Sequence, residues 1–353
     1  MKYEDGPKSA ATIMNEALSF DDVLLVPQHS DIESRRSVDI SNVMSKDIIL
    51  GLPVISSPMD TVTGTKMARA MYTAGGMGIL HRYNTISEQS SMVCSILEEN
   101  ENIPVAAAAG VTGDYLERCY ALRESGAKVI CLDVAHGHHN MMERALKSIK
   151  DQLGDIHIMA GNVATLEGFN ALASWGADSV RVGIGGGSIC STRLVSGHGI
   201  PTFESVFQCA QTTYNCKIIA DGGIKTTGDM VKAFAAGADF VMIGSMLAGT
   251  RETPGDVFKN AEGKSYKVYR GMASSNAQKS WRGKSSTPEG ISTTIPFKGE
   301  VSLILDDLRG GIQSGFSYSG ANNFQEFWTK SKFIRQTAAG QNESFTHILR
   351  RDK

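Results

Sequence analysis

The chain has 353 residues, of which 41% are hydrophobic and 20% are charged, and its formal net charge is −2. This composition is typical of a soluble globular protein, and the small charge argues against nucleic acid or a membrane surface as the main partner. We find no apolar run of transmembrane length and no charged-then-apolar leader, so we expect a cytoplasmic protein. The six cysteines show neither a CxxC pair nor a metal-ligand spacing, which indicates reduced thiols rather than a disulfide framework.

Eight short apolar runs follow one another along the chain, and each ends in a small or polar residue. In chain order they end near Ser57, His81, Gly110, Asp133, Asn162, Gly183, Asp221 and Gly244. Stretches with helical spacing lie between them, for example at 115–125, 140–153 and 227–236. Alternating strands and helices imply a parallel sheet, and eight such units predict an α/β fold of the closed (β/α)8 TIM-barrel type. We expect it to occupy the chain, 1–353, as a single domain.

Residues that close the apolar runs are the first candidates for a functional site. In a parallel barrel the active site lies at the carboxyl ends of the strands, so these residues should converge on one pocket. They are Ser57, Met59, Asp133, Asn162, Cys190, Asp221, Gly223 and Ser245. Asp133 and Asn162 have an alternative interpretation as caps of the helices that follow them.

The segment GIGGGSICST, from Gly183 to Thr192, places one cysteine on a glycine-rich loop directly after an apolar strand. The glycines allow positive φ and a close approach of the backbone to a ligand, which leaves amides and carbonyls to hold an anion or a cation. We interpret Cys190 as the candidate nucleophile. The alternative is a flexible turn that carries a buried thiol.

Two further glycine-bearing segments, ADGGIKTTGD and MIGSMLAG, follow the seventh and eighth strands. Barrels commonly bind phosphate at these two positions through loop amides and the start of a helix. Gly223, Gly244 and Ser245 would let the backbone approach phosphate oxygens, and Asp221 could accept hydrogen bonds from ribose hydroxyls. The pattern predicts a phosphorylated, ribose-bearing ligand.

The stretch 262–296 is polar and rich in Gly, Ser and Lys. Its composition favours a surface linker, but its position after the eighth strand favours a mobile flap that covers the substrate, and we predict the flap. Beyond it, 303–314 has helical spacing, and the tail at 338–353 is predicted to be weakly ordered.

Nine motifs are distributed along most of the chain: LSFDDVLLVP, SSPMDTVT, CLDVAHGH, AGNVAT, the Cys190 loop, ADGGI, GSMLAGT, YRGMAS and PEG. With these motifs the sequence resembles the inosine monophosphate (IMP) dehydrogenase and guanosine monophosphate (GMP) reductase family. The resemblance implies an oxidoreductase of purine metabolism that binds a purine nucleoside monophosphate and a nicotinamide dinucleotide. It also implies a homotetramer.

The resemblance also implies roles for individual residues. Cys190 would attack C2 of the purine as a thiolate, and Thr192 with Glu289 would transfer protons. The substrate-binding residues would be Ser57, Met59, Ser188, Asp221, Gly223, Gly244, Ser245, Tyr269, Met272, Ala273 and Gly290. The residues toward the dinucleotide would be Asp133, Asn162 and Arg181. The carbonyls of Gly185, Gly187 and Cys190 match those that hold a potassium ion in many dehydrogenases.

The two branches of the family differ between Met272 and Pro288. A dehydrogenase activates water there with an Arg-Tyr pair, whereas this chain reads ASSNAQKSWRGKSST, with Arg282 but no following tyrosine. The lack of regulatory domains inserted near Asn102 points the same way, while the STPEG form of the glutamate motif resembles the dehydrogenases. We therefore predict an NADPH-dependent GMP reductase. The alternatives are an IMP dehydrogenase that uses NAD and a catalytically idle nucleotide-binding protein.

Overall fold

Three short strands precede the barrel in the computed structural model, which describes residues 16–344. They are β1 (Val23–Leu25), β2 (Asn42–Ser45) and β3 (Ile48–Leu50), and β2 and β3 form an antiparallel hairpin. Met44, Ile48 and Leu50 of the hairpin are buried with side chains of the barrel interior. Asn42 donates from Nδ2 to the carbonyl of Asp239, just before the last barrel strand. The hairpin therefore closes the amino-terminal end of the barrel.

Eight parallel strands, β4 to β11, form the closed barrel, each paired with the next in the sequence and the last with the first. Their bounds are Val54–Ser56, Met77–Leu80, Ala106–Ala109, Val129–Asp133, His157–Val163, Ser179–Val182, Lys217–Asp221 and Phe240–Ile243. This arrangement confirms the predicted TIM barrel, and each of the eight apolar runs forms one of its strands.

Eight helices, α1 to α8, lie between these strands in the sequence. Their bounds are Thr65–Thr73, Ile86–Glu99, Tyr115–Glu124, Asn140–Leu153, Leu166–Ser174, Thr192–Ser196, Thr202–Cys209 and Thr227–Ala235. Thr85 and Thr226 start α2 and α8 with capping boxes, which satisfy amides at the helix start. His139 and Thr165 cap α4 and α5. Asp133 and Asn162 are therefore not the helix caps that the alternative interpretation required.

The barrel wall is apolar on both faces, because successive residues of a strand point to opposite sides. In β6, Ala106 and Ala108 are buried with interior side chains such as Phe240, whereas Ala107 and Ala109 are buried with the layer that includes the helices. Parallel strands that are covered on both faces have continuous apolar sequences. The strands were recognisable in the sequence for this reason.

After β11 the chain forms a small antiparallel sheet beside the carboxyl end of the barrel. It consists of β12 (Phe258–Lys259), β13 (Ser265–Arg270) and β14 (Ser292–Pro296), with α9 (Ser275–Arg282) between β13 and β14. The stretch 262–296 thus contains regular elements and is not the irregular linker that its composition favours. Its mobility as a flap stays a prediction.

The outer layer is completed by α10 (Val301–Tyr318), which packs against α8 and α1 and contains the helix predicted at 303–314. The chain continues through α11 (Phe324–Lys330), β15 (Phe333–Arg335) and α12 (Ala338–Glu343), and β15 pairs with β1. Part of the predicted weakly ordered tail is helical in α12, and 345–353 lie outside the described residues. Across residues 16–344, no helix has the length and apolar character needed to cross a membrane.

Candidate active site

The loop from β9 to α6 carries Cys190 at the carboxyl end of the barrel. Gly183 has φ +144°, and a Cβ atom at this position would lie 2.0 Å from the carbonyl oxygen of Asp221, so only glycine fits. The loop is closed by a hydrogen bond of 3.1 Å from the Cys190 amide to the Gly187 carbonyl. The Cys190 thiol donates to Thr192 Oγ1 at 3.1 Å. Two of the three predicted catalytic side chains are therefore in direct contact.

Exposure distinguishes Cys190 from most of the other thiols. Four cysteines are buried, and burial raises the pKa of each to about 12; they are Cys119, Cys131, Cys209 and Cys216. Since the thiolate is the reactive form, these four are poor nucleophiles at neutral pH. Cys190 is exposed on its glycine-rich loop, so the interpretation as a buried thiol is wrong. Cys94, the other exposed cysteine, lies on the outer helix α2.

The segment that carries Glu289 runs beside the Cys190 loop. The carbonyl of Glu289 accepts a hydrogen bond of 3.0 Å from the Ser191 amide, and its own amide donates to the Ala273 carbonyl at 3.2 Å. Gly290 forms an isolated antiparallel bridge with Cys190. The fold therefore brings Glu289, the predicted proton-transfer residue, and Gly290, a predicted substrate-binding residue, next to Cys190, although they are distant in the sequence.

A group of hydroxyls surrounds Gly244 at the end of β11. A Cβ atom on Gly244 would lie 3.2 Å from Met59 Sδ, 3.4 Å from Ser57 Oγ and 3.4 Å from the Tyr269 hydroxyl. Tyr269 is buried, which raises its pKa, and its hydroxyl lies 3.4 Å from Ser188 Oγ. Five residues predicted to bind the substrate thus meet at one place.

The same region contains Ser245 and Gly223. Ser245 follows Gly244 directly, and its carbonyl accepts from Lys298 Nζ at 2.8 Å. A Cβ atom on Gly223 would lie 3.7 Å from the Gly186 carbonyl, so the loop after β10 packs on the Cys190 loop. Lys298 was not predicted. It is one of many lysines in the sequence, and only the fold places it beside Ser245.

A buried charge network joins the remaining predicted residues. Arg181 donates to Asp133 Oδ1 at 2.6 Å and to Asp221 Oδ2 at 2.9 Å, and Asn162 Nδ2 also donates to Asp221 Oδ2 at 2.9 Å. Burial opposes ionisation of Asp133, yet Arg181 and Arg82 hold the pKa of this carboxyl below its ordinary value. The neighbouring carboxylates raise the pKa of Arg181 well above its own. All four groups are therefore charged or hydrogen-bonded in the fold.

Asn162 has one atom that the protein leaves without a partner. Its Nδ2 also donates to the Gly183 carbonyl at 2.8 Å, so both amide hydrogens are used. Its Oδ1 is buried, and within the described part of the chain no group donates to it. A buried acceptor without a donor is costly unless a ligand supplies one. The atom is a candidate ligand contact.

Asp60 forms contacts with Arg270, Met272 and Trp281 that the sequence analysis did not predict. This buried carboxylate accepts hydrogen bonds from Arg270 Nε at 3.0 Å and from Trp281 Nε1 at 3.3 Å. Its amide lies 3.3 Å from Met272 Sδ, and Tyr83 donates from its hydroxyl to the Met272 carbonyl at 3.2 Å. Asp60 and Arg270 stand inside two of the family motifs, which was a usable signal. Trp281 had no such signal.

No three or more His, Cys, Asp and Glu side chains among residues 16–344 are grouped so as to hold a metal ion. The site itself combines an exposed thiol, several hydroxyls, a glycine-rich backbone and the charge network. A TIM barrel with an exposed thiol and a hydroxyl-lined glycine cradle at its carboxyl end defines a class of barrel enzymes that act on phosphorylated ligands.

Comparison with known proteins identifies the family within that class. The model of the IMP dehydrogenase / GMP reductase domain matches residues 17–347, and the chain belongs to this family of purine-nucleotide oxidoreductases. It is 37% identical to an inosine-5′-monophosphate dehydrogenase of Cryptosporidium parvum, over 95% of this chain and 96% of the relative. It is 32% identical to a GMP reductase of Leishmania major, over 95% of this chain and 97% of the relative.

The structural comparison gives the same family. A crystal structure of GMP reductase from Trypanosoma brucei in complex with guanosine 5′-monophosphate has a TM-score of 0.90 and 29% sequence identity, covering 96% of this chain and 99% of that one. The alignments with the two relatives above span 388 and 480 residues, more than the 353 of this chain, so those relatives contain segments that it lacks. Relatives with either activity are similarly distant, so the family is established and the reaction is not.

Proposed function

We propose that this chain is a GMP reductase, which converts GMP and NADPH to IMP, ammonia and NADP. The observation that carries the proposal is the segment between Met272 and Pro288, which contains α9 and lacks an Arg-Tyr pair. A dehydrogenase needs such a pair to activate water, and a reductase does not. The similarity to a GMP reductase crystallised with GMP supports the same choice.

In the proposed reaction the Cys190 thiolate attacks C2 of the guanine and forms a carbon–sulfur bond. The bond from C2 to the amino group breaks, and the amine leaves as ammonia after it gains one proton. We assign delivery of that proton to Thr192, which lies 3.1 Å from the sulfur, together with Glu289. NADPH, when bound, supplies a hydride to C2. The carbon–sulfur bond then breaks and returns the electron pair to Cys190, which leaves IMP.

The residues around the thiol are suited to the other parts of the ligands. The hydroxyls and backbone around Gly244 and Tyr269 would hold the 5′-phosphate, and Asp221 would accept from the ribose. Asn162 Oδ1 has no donor among residues 16–344 and would accept an N–H from the nicotinamide carboxamide, with Asp133 and Arg181 near it.

A potassium ion is the remaining ligand that the resemblance implies. Backbone carbonyls are a donor type that potassium takes in proteins. The carbonyls of Gly185, Gly187 and Cys190 are of this type, and positive φ at Gly185 (+82°) turns the loop sharply. These carbonyls would hold the ion, and the ion would order the loop that carries the thiol.

The reaction is tested by absorbance at 340 nm in two parallel assays, one with GMP and NADPH and the other with IMP, NAD and potassium. A fall in the first alone supports the reductase. A rise in the second alone supports IMP dehydrogenase, the second candidate, which the STPEG form of the Glu289 motif and the 37% identity to a dehydrogenase favour. Activity in neither, with nucleotide binding retained, would support an idle nucleotide-binding protein.

Substitution of the thiol tests the covalent step. Cys190→Ser should abolish turnover and leave nucleotide binding largely intact, because the phosphate and ribose contacts lie on other strands. Cys94→Ser is the matched control, since it removes the other exposed thiol. Mass spectrometry with a 6-halopurine nucleotide should find an adduct on Cys190 in the wild-type protein. Unchanged turnover in Cys190→Ser would refute the covalent mechanism.

A further inference from the structure

Gln278 is a buried amide that connects Ala273, just before α9, to Ser286, in the segment between α9 and Glu289. It lies on α9 and is only 6% exposed. Its Nε2 donates to the Ala273 carbonyl at 3.0 Å, and its Oε1 accepts from the Ser286 amide at 2.8 Å. The Ser285 and Ser286 hydroxyls lie 3.4 Å from the same Oε1. The amide nitrogen is thus bonded to the chain before α9, and the amide oxygen is bonded to the chain after α9.

These bonds constrain a stretch that has no regular structure of its own. Between the end of α9 at Arg282 and the start of β14 at Ser292 the backbone forms neither helix nor strand. The Ser286 amide therefore depends on a side chain for its partner, and Gln278 supplies it. A buried amide that satisfies both its donor and its acceptor restricts local geometry, because breaking either bond leaves a buried polar group unpaired.

From Gln278 the contacts continue to the nucleophile. The Ala273 carbonyl that accepts from Gln278 also accepts from the Glu289 amide at 3.2 Å. The Glu289 carbonyl in turn accepts from the amide of Ser191, the residue next to Cys190, at 3.0 Å. One continuous set of hydrogen bonds therefore runs from Gln278 to the loop that carries the thiol.

We propose that Gln278 is a positioning residue that holds Glu289 in place against Cys190 and Thr192. It does not itself touch the proposed reacting atoms. It acts through Ala273 and Ser286, which set where the backbone of Glu289 lies. The proposal rests on the proposed function in one respect, namely the role of Glu289 in proton transfer, and that role requires the carboxylate to be placed accurately.

The test is Gln278→Met, which has a similar length and volume but can make neither hydrogen bond. Lys279→Met is the matched control, because Lys279 is the exposed neighbour on the same helix. We expect kcat for GMP reduction to fall about 10- to 100-fold in Gln278→Met, since small misplacements of a catalytic group cost rates of this order. KM for GMP and the rate of Cys190 alkylation by iodoacetamide should stay near the wild-type values, and Lys279→Met should behave as wild type.

Hydrogen exchange supplies a readout that does not depend on turnover. The amides of Ser286 and Glu289 should exchange faster in Gln278→Met than in the wild type, whereas amides of the barrel strands should not change. A variant with wild-type kcat, or with unchanged exchange at these two amides, would overturn the proposal. A fall in kcat that is accompanied by an equal fall in Cys190 alkylation would also overturn it, because the effect would then be general.

Gln278→Glu covers the case in which the methionine variant does not fold. Its carboxylate keeps an acceptor for the Ser286 amide but faces the Ala273 carbonyl without a donor, so we expect a loss of kcat and faster exchange at Glu289 alone. Wild-type behaviour of this variant would contradict the proposal. Failure of the proposed function is distinguishable, since it would show as a wild-type protein that does not oxidise NADPH with GMP, while the exchange measurement still tests the positioning.

Discussion

Removal of Arg181 should destabilise the fold strongly, because this buried side chain pairs with two largely buried carboxylates, which are 18% (Asp133) and 14% (Asp221) exposed. Its guanidinium makes three charge-assisted hydrogen bonds, at 2.6 Å to Asp133 and at 2.9 and 3.2 Å to Asp221, and its side chain is 8% exposed. Arg181→Met would leave both carboxylates without this partner. Removing one member of a buried ion pair costs about 3–5 kcal/mol, and we expect a loss in this range.

The two carboxylates should not contribute equally to that loss. Asp133 keeps Arg82 at 3.6 Å, whereas Asp221 keeps only the neutral Asn162 amide as a side-chain donor among the described residues. Asp221→Asn in the Arg181→Met background should therefore recover stability, because it removes the less compensated buried charge. Arg181→Lys should show an intermediate loss, since one ammonium cannot form the same fork of bonds to both carboxylates.

The measurement is urea denaturation of the nucleotide-free protein, followed by far-ultraviolet circular dichroism, for the wild type, the three variants above and the single variant Asp221→Asn. The free energies of unfolding are compared between proteins whose m-values, the slopes of this free energy against urea concentration, are equal. Equal m-values show that the same surface is exposed on unfolding. A loss below about 1 kcal/mol in Arg181→Met would refute the reasoning, because the pair would then be worth no more than a surface ion pair. Strict additivity of Arg181→Met and Asp221→Asn would refute the assignment to Asp221.

Three further predictions concern other parts of the molecule. Burial lowers the pKa of His157 from 6.5 to about 4, so the unfolded chain binds a proton at this residue before the folded protein does, and the free energy of unfolding falls as the pH drops from 6.5 toward 4. His157→Gln should flatten the pH dependence of the free energy of unfolding between these values. An unchanged slope would contradict the assignment to His157. Gly183→Ala should lower the melting temperature, because its Cβ would meet a backbone carbonyl, and a wild-type value would contradict the tight approach. Trp281→Phe removes the indole donor to Asp60, which contacts the predicted substrate-binding residue Met272, and should raise KM for GMP. Trp175→Phe is the control, and equal KM values in the two variants would exclude a role of the Trp281–Asp60 hydrogen bond in GMP binding.

The barrel was predictable because its signal is local. Strands covered on both faces have continuous apolar sequences, such as PVAAAAG before Gly110, and each of the eight runs became a barrel strand. The Cys190 loop was predictable for a related reason, since several glycines directly after a strand indicate a special backbone path. The stretch 262–296 was harder to interpret, because its polar composition gives no indication of the two strands and one helix that it forms.

Several contacts of the site had no local signal. Asp60 meets Trp281, and Lys298 meets Ser245, only because the chain returns to the barrel mouth after β11. Gln278 is one glutamine in a polar stretch, and nothing in the sequence distinguishes it from an exposed residue of the same helix. Such pairings depend on how distant segments pack, and packing between distant segments leaves no periodic pattern in either sequence.

The sequence by itself therefore determined the barrel, its strand order and the residues at the strand ends, since these follow from periodicity and from the rule that parallel strands present their carboxyl ends on one face. Only the tertiary structure decided that Arg181 is shared by Asp133 and Asp221, that Asn162 Oδ1 is buried without a donor among residues 16–344, and that Gln278 connects Ala273 to Ser286. The physical reason is that hydrogen bonds need atoms to meet within a few tenths of an ångström, and loop closure and packing set those positions.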